Sequence, residues 1–214
     1  MDKALIIFIK NPIKGKVKTR IARTVGDDKA LEIYLQLSKI TRDNALLLRG
    51  VTVYLFYDEF INPIDEWSDK YFEKHIQKGK DLGERMLNAL DFVLKNHTSA
   101  CIIGSDCPTL SVEIMQQAFD KLTLHDTVLG PSTDGGYYLI GMKMKENEEE
   151  SHDSSFLENL HHLFDNMVWS TENVLSNTLT RIKKNQQTVC LLPELTDIDE
   201  EGDWLIFQKN RQGN

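Results

Sequence analysis

The chain has 214 residues, 41% of them hydrophobic, and a formal net charge of -8 at pH 7. That length supports one sizeable core and no Pro/Gly/Ser-rich linker interrupts it, so a single domain over residues 1–214 is expected. The acidic balance argues against a nucleic-acid or anionic-membrane binder, and the longest apolar run is too short to span a bilayer. Three cysteines without a C-x-x-C pair point to a reducing, cytoplasmic setting.

Apolar, β-branched runs predict strands at Ala4–Ile9, Val51–Tyr57, Ala100–Ile103, Thr127–Leu129, Tyr137–Met142 and Thr188–Leu192. Helix-period segments fall mostly between them. Asp28–Arg49 sets Leu31, Tyr34, Leu35 and Ile40 on helical spacing, and Leu82–Leu94 does the same with Leu82, Met86, Leu90 and Val93. Ser111 caps a further helix to about Leu122 and Thr171 another to about Lys184, with Phe156–Phe164 and Glu200–Phe207 also helical. Apolar strands alternating with helices predict an α/β fold whose mostly parallel sheet is covered on both faces. The connection from Leu129 to Tyr137 is too short for a crossover helix, which predicts local antiparallel pairing. Residues Lys145–Ser155 are acidic and without period, as in a solvated loop, and the adjacent His161 and His162 face different directions and read as surface residues.

Several strand ends carry chemistry. Lys10-Asn11-Pro12-Ile13-Lys14-Gly15-Lys16-Val17-Lys18-Thr19-Arg20 crowds five cations around a glycine directly after the first strand. Cations so close repel one another unless an anion compensates, and phosphate is the natural partner. The loop is not a Walker A motif, because Val17 follows Gly15-Lys16 and Lys10 stands where the first glycine belongs. In Gly79-Lys80-Asp81-Leu82-Gly83-Glu84-Arg85-Met86, free amides at a helix start suit an anion or a base edge, while Asp81 and Glu84 equally suit ordinary capping. Asp106, in the turn Gly104-Ser105-Asp106-Cys107-Pro108, follows a buried strand and suits a hard divalent cation or a helix-capping turn. Asp134 also follows a strand, and Gly135-Gly136 lets backbone approach a ligand closely; an Asp-Gly turn is the simpler reading. Asp197 and Asp199 point to opposite sides of an extended segment, so only one of them is expected to face a site, or they cap the last helix.

Together, Lys10-x-Pro12-x-x-Gly15-x-Val17-Lys18-Thr19-Arg20, Gly79-x-Asp81-Leu82-Gly83-Glu84-Arg85-Met86, Gly104-x-Asp106-x-Pro108-x-Leu110, Gly130-Pro131-x-x-Asp134-Gly135-Gly136-Tyr137-Tyr138-Leu139-x-Gly141 and Trp169-Ser170-Thr171 resemble the bacterial DUF2064 family. Its members are described as glycosyltransferase-like or nucleotide-diphospho-sugar transferase-like proteins of GT-A fold. The strand-turn-Asp-x-Pro element also resembles that of the molybdenum-cofactor and phospholactate guanylyltransferases. The resemblance implies a three-layer α/β/α GT-A-like fold and a catalytic pair, Asp106 and Asp134. It implies that Lys10, Pro12, Gly15, Lys18, Thr19, Arg20, Gly79, Asp81, Gly83 and Arg85 hold nucleotide and phosphate. Asp106 is implied to ligate Mg²⁺ or Mn²⁺ with help from Asp199, and Gly135, Gly136 and Tyr137 to face the second substrate. The Gly104-Ser105-Asp106 turn departs from a strict Asp-x-Asp pattern, so the turn alone supplies one carboxylate.

Three functions then compete. The first is metal-dependent glycosyl transfer from a nucleotide-diphospho-sugar to a small-molecule acceptor. Nucleotidyl transfer from a nucleoside triphosphate to a phosphorylated acceptor would use the same cations and Lewis acid. A nucleotide-binding regulatory domain without turnover is the third. A thiol enzyme built on Cys107 lacks a nearby base in sequence.

Overall fold

The computed structural model describes residues 2–144 and 154–212. The strand β1 (Lys3–Ile9) shows why the chain forms a covered sheet. Leu5, Ile7 and Ile9 pack into one apolar cluster while Ala4 and Ile6 pack into another on the opposite face, the two-residue alternation of a strand buried on both sides. After β1 come α1 (Thr19–Val25), α2 (Asp27–Leu47), β2 (Val51–Tyr57), β3 (Phe72–Ile76), α3 (Leu82–Leu94), β4 (Ser99–Ile103) and α4 (Val112–Leu122). The second half contributes β5 (Thr127–Pro131), β6 (Tyr137–Lys143), α5 (Ser154–Phe164), α6 (Val174–Lys184), β7 (Val189–Leu191) and α7 (Glu201–Gln212).

The sheet order is β3-β2-β1-β4-β6-β5-β7. Every strand but β6 runs in the same direction; β6 pairs antiparallel with both β4 and β5, with Ile102 opposite Ile140 and Leu129 opposite the same residue. The expected antiparallel excursion is therefore present. On one face α4 contributes Met115, Ala118, Phe119 and Leu122; on the other α3 contributes Met86, Leu90 and Val93, with Leu160 and Leu163 from α5 and Ile182 from α6. A smaller cluster of Ile21, Ile33, Leu37, Ile198 and Trp204 joins α1, α2 and α7 beside this sandwich. The architecture is thus three-layered α/β/α with a mostly parallel sheet, as expected.

Some boundaries differ from the sequence reading. Asn173, not Thr171, precedes the first residue of α6, and the Thr171 hydroxyl donates to the Val168 carbonyl. Residues 145–153 of the acidic stretch lie outside the described residues, while Ser154 and Ser155 open α5. His161 and His162 are exposed, in keeping with the surface reading. Among the described residues no helix is long and apolar enough to cross a membrane.

Candidate active site

A cleft of about 540 Å³ opens along the carboxyl ends of the parallel strands. Lys10 follows β1, Asp58 follows β2, Gln77 follows β3, Asp106 follows β4, Asp134 follows β5, and Asp197 and Asp199 lie beyond β7; all of them line it. Open α/β sheets bind ligands at this edge.

The turn after β4 is fastened to the segment beyond β7, because the Ile198 amide donates to the Asp106 carbonyl at 2.8 Å. The Lys18 ammonium then bridges the two carboxylates, 3.2 Å from Asp106 Oδ2 and 3.3 Å from Asp199 Oδ1, while Arg20 Nη1 donates to Asp199 Oδ2 at 3.3 Å. Burial works against the Lys18 charge, but Asp106 and Asp199 outweigh it and raise its pKa above the ordinary value. Lys18 has left-handed backbone, φ 45° and ψ 47°, immediately before α1. Asp197 sits deeper: its Oδ2 accepts from the Ser132 hydroxyl at 2.9 Å, and its buried Oδ1 has no hydrogen-bond partner. Burial, together with repulsion from Asp106, Asp134 and Asp199, pushes the Asp197 carboxyl up to about 7.

The five cations of the first loop do not act together. Lys14 pairs with Asp28 at 2.7 Å and Lys16 with Glu59 at 2.9 Å, leaving Lys10, Lys18 and Arg20, with Thr19, along the cleft. Asn11, 2% exposed, anchors the loop: its amide N-H donates to Asp58 Oδ1 at 2.6 Å, its Nδ2 to the Phe60 carbonyl, and its Oδ1 accepts from the Glu59 and Phe60 amides. Pro12 instead lines a second cavity, and Gly15, at φ 78°, lies beside Asp27.

The 79–86 stretch divides in the same way. Asp81 caps α3 by accepting from the Glu84 amide at 2.9 Å, and Glu84 accepts from the Lys80 amide at 2.9 Å, so the capping role is realised. Gly79 packs against the backbone of Arg85, and Gly83 lies under Trp169. Leu82 and Arg85 reach the cleft, where Arg85 Nη1 donates to Gln77 Oε1 at 3.4 Å. Gln77 is in turn fixed by donating its Nε2 to the Ile9 and Phe56 carbonyls.

Across the cleft, Asp134 Oδ1 accepts from the Gly136 amide at 2.9 Å, and Asp134, Gly136 and Tyr137 line the wall. Gly135 lies behind them at φ 86°, pressed on the Glu172 backbone so closely that a side chain would overlap it. Tyr34, placed by its spacing on the apolar stripe of a helix, also serves the site: its hydroxyl accepts from the Lys10 amide at 3.0 Å and donates to the Lys10 carbonyl at 2.6 Å. On the apolar stripe of a helix, Tyr34 looks like core; only its hydroxyl signals a polar partner. Cys107 is buried, its thiol pushed up to about 12 mainly by that burial, which removes the thiolate a nucleophile needs.

A mostly parallel α/β/α sheet with antiparallel β6 inside it and a charged cleft at its strand ends is an architecture similar to that of nucleotide-diphospho-sugar transferase structures. A candidate nucleotide-diphospho-sugar transferase from Desulfovibrio desulfuricans is similar at 28% identity over 93% of this chain and 83% of its own, with a TM-score of 0.79. The sequence profile described as "Uncharacterized protein conserved in bacteria (DUF2064)" matches residues 41–171, and the chain belongs to that family. The 4-diphosphocytidyl-2C-methyl-D-erythritol synthase of Anaerococcus prevotii shares the fold at 11% identity over 98% of this chain and 96% of its own, with a TM-score of 0.61. A Mycobacterium tuberculosis protein in complex with manganese does so at 10% identity over 95% and 96%, with a TM-score of 0.56. No curated protein matches the chain.

Proposed function

We propose that residues 1–214 form one transferase domain that takes a glycosyl group from a nucleotide-diphospho-sugar and passes it to a small-molecule acceptor in the cytoplasm, using Mg²⁺ or Mn²⁺. The observation that carries this reading is the meeting of Lys18 and Arg20 with Asp106 and Asp199 at the strand-end cleft. Cations and hard carboxylates side by side are the two halves of a metal-diphosphate site.

The residues fit a divalent cation that shares its coordination with a nucleotide. Among the described residues no group of three or more His, Cys, Asp or Glu is arranged to hold a metal by itself, whereas Mg²⁺ is commonly held by one or two carboxylates and the substrate's phosphates. Asp106 and Asp199 would supply the carboxylates, and the partnerless Oδ1 of Asp197 marks a third oxygen short of a positive partner. The bound cation would supply positive charge where the departing diphosphate gains negative charge.

In this reading Lys10, Lys18, Arg20 and Arg85 hold the diphosphate, with Gln77 and the start of α3 beside the nucleoside. The bond between the anomeric carbon and the phosphate oxygen breaks while the acceptor oxygen bonds to that carbon. Asp134, on the opposite wall, takes the acceptor's proton. Fixed charges aimed at the leaving group need no reorganisation as it departs.

Incubation with UDP-, GDP-, ADP-, CDP- and dTDP-sugars and Mn²⁺ tests the reaction class, since a glycosyltransferase slowly hydrolyses its donor to the nucleoside diphosphate. Pyrophosphate release from a nucleoside triphosphate would replace this reading with nucleotidyl transfer. Saturable binding without either product would leave a non-catalytic nucleotide-binding domain.

A further inference from the structure

The Lys18 ammonium occupies the place between Asp106 and Asp199 that a divalent cation shared by those carboxylates would take. The side chain is 8% exposed, so it is held inward and not lying over the surface. Its two contacts, at 3.2 and 3.3 Å, are longer than the 2.7–2.9 Å typical of charge-assisted bonds between N⁺-H and O⁻, so neither is tightly made. A lysine is a compact charge on a flexible stem, able to change partners without moving its backbone. Two carboxylates facing one ammonium also leave an uncompensated negative charge, to which Arg20 contributes a partner only at Asp199. Ammonium and dication repel and cannot share the gap between the two carboxylates.

We propose that Lys18 is a resident cation that keeps the Asp106–Asp199 pair closed to a free divalent ion, and that it exchanges places with the metal when phosphates enter the cleft and give the ammonium a new partner. The proposal rests on the reading of this cleft as a metal-phosphate site. It makes the metal arrive with the phosphates and disfavours a metal-loaded resting protein. Lys18 thus has opposite effects on the two ligands: it opposes free metal and favours phosphate.

Two titrations read those effects separately. Mn²⁺ alone is titrated by electron paramagnetic resonance, and inorganic pyrophosphate is titrated by calorimetry in the presence of a chelator. Lys18→Gln is expected to bind Mn²⁺ about tenfold or more tightly than the wild type, the scale of one lost charge contact, and pyrophosphate about tenfold more weakly. Lys18→Arg, which keeps the charge, is expected to bind Mn²⁺ as weakly as the wild type. Adding Asp106→Asn to Lys18→Gln is expected to abolish the gain, placing the ion at this pair. Lys18→Gln with unchanged or weaker Mn²⁺ binding, in a variant that melts like the wild type, would overturn the exchange. If Lys18→Gln does not fold, Lys18→Arg decides: Mn²⁺ binding clearly tighter or weaker than wild type would overturn it. Should pyrophosphate bind while no variant binds Mn²⁺, the exchange fails and the phosphate cleft stands. If pyrophosphate binds none of the proteins, the functional reading itself fails.

Discussion

The Ile198 amide donates to the Asp106 carbonyl at 2.8 Å, which locks the turn after β4 to the segment that carries Asp197 and Asp199. Because this bond uses backbone only, changing the Asp106 side chain leaves the two segments in register. Asp106→Asn is therefore expected to melt within a few degrees of the wild type while turnover falls by about 10²–10³-fold, the cost of removing one charged group from a preorganised site. Melting curves and initial rates on the same preparation check both halves.

Gly83 exists to admit Trp169. A Cβ at Gly83 would lie 2.8 Å from Trp169 Cζ2 and 3.0 Å from the Phe164 carbonyl oxygen. Gly83→Ala should therefore push the indole toward solvent and destabilise the protein by about 1–3 kcal/mol, as overpacking does. A red-shifted tryptophan emission together with a lower melting temperature is the expected result. Since Trp169 lines the cleft, ligand affinity should fall with it.

Tyr34 clasps both the N-H and the carbonyl of Lys10, the first residue of the basic loop. Tyr34→Phe deprives the Lys10 N-H and carbonyl of this partner at a cost of about 1–3 kcal/mol. The damage should appear as a raised KM for the phosphate-bearing substrate with a smaller change in kcat, because the loop is misplaced and no reacting group is removed.

Asp197 makes stability depend on pH. Its folded-state pKa, about 7, lies above the ordinary 3.8, so the native protein holds this proton longer than the unfolded chain. The associated stability is fully present below the ordinary value and is lost as pH rises through about 7. Asp197→Asn removes that slope. Its melting temperature relative to the wild type should rise between about pH 4 and pH 7 and level off above that, and a constant offset across the range would contradict the assignment.

Much of the sheet was legible because β1, β2, β4, β5 and β6 are buried on both faces and so read as nearly continuous apolar runs. The edge strand β3, Phe-Glu-Lys-His-Ile, was not, since only Phe72 is fully buried and its polar residues carry no alternation. The short helix α1 buries Ile21 alone and has too few turns for a period to show. In the cleft, strand-end position singled out Asp106 and Asp134, and the acidic pair on an extended segment singled out Asp197 and Asp199, both of which line the cleft. Which cations remain free to meet a ligand was invisible, because Lys16 pairs with Glu59, forty-three positions away in the chain, and Lys14 with Asp28. The Lys18 bridge was hidden for the same reason, its partners lying on the far turn of β4 and beyond β7.

The most direct measurement is a calorimetric titration of the wild type and Asp106→Asn with the five nucleotide-linked sugars, each with and without Mn²⁺. At least one donor is expected to bind, more tightly with Mn²⁺, and Asp106→Asn is expected to lose the Mn²⁺-dependent part while remaining folded. Failure of every donor to bind, or an Mn²⁺ dependence that survives Asp106→Asn intact, would contradict a metal-diphosphate site at the Asp106 turn.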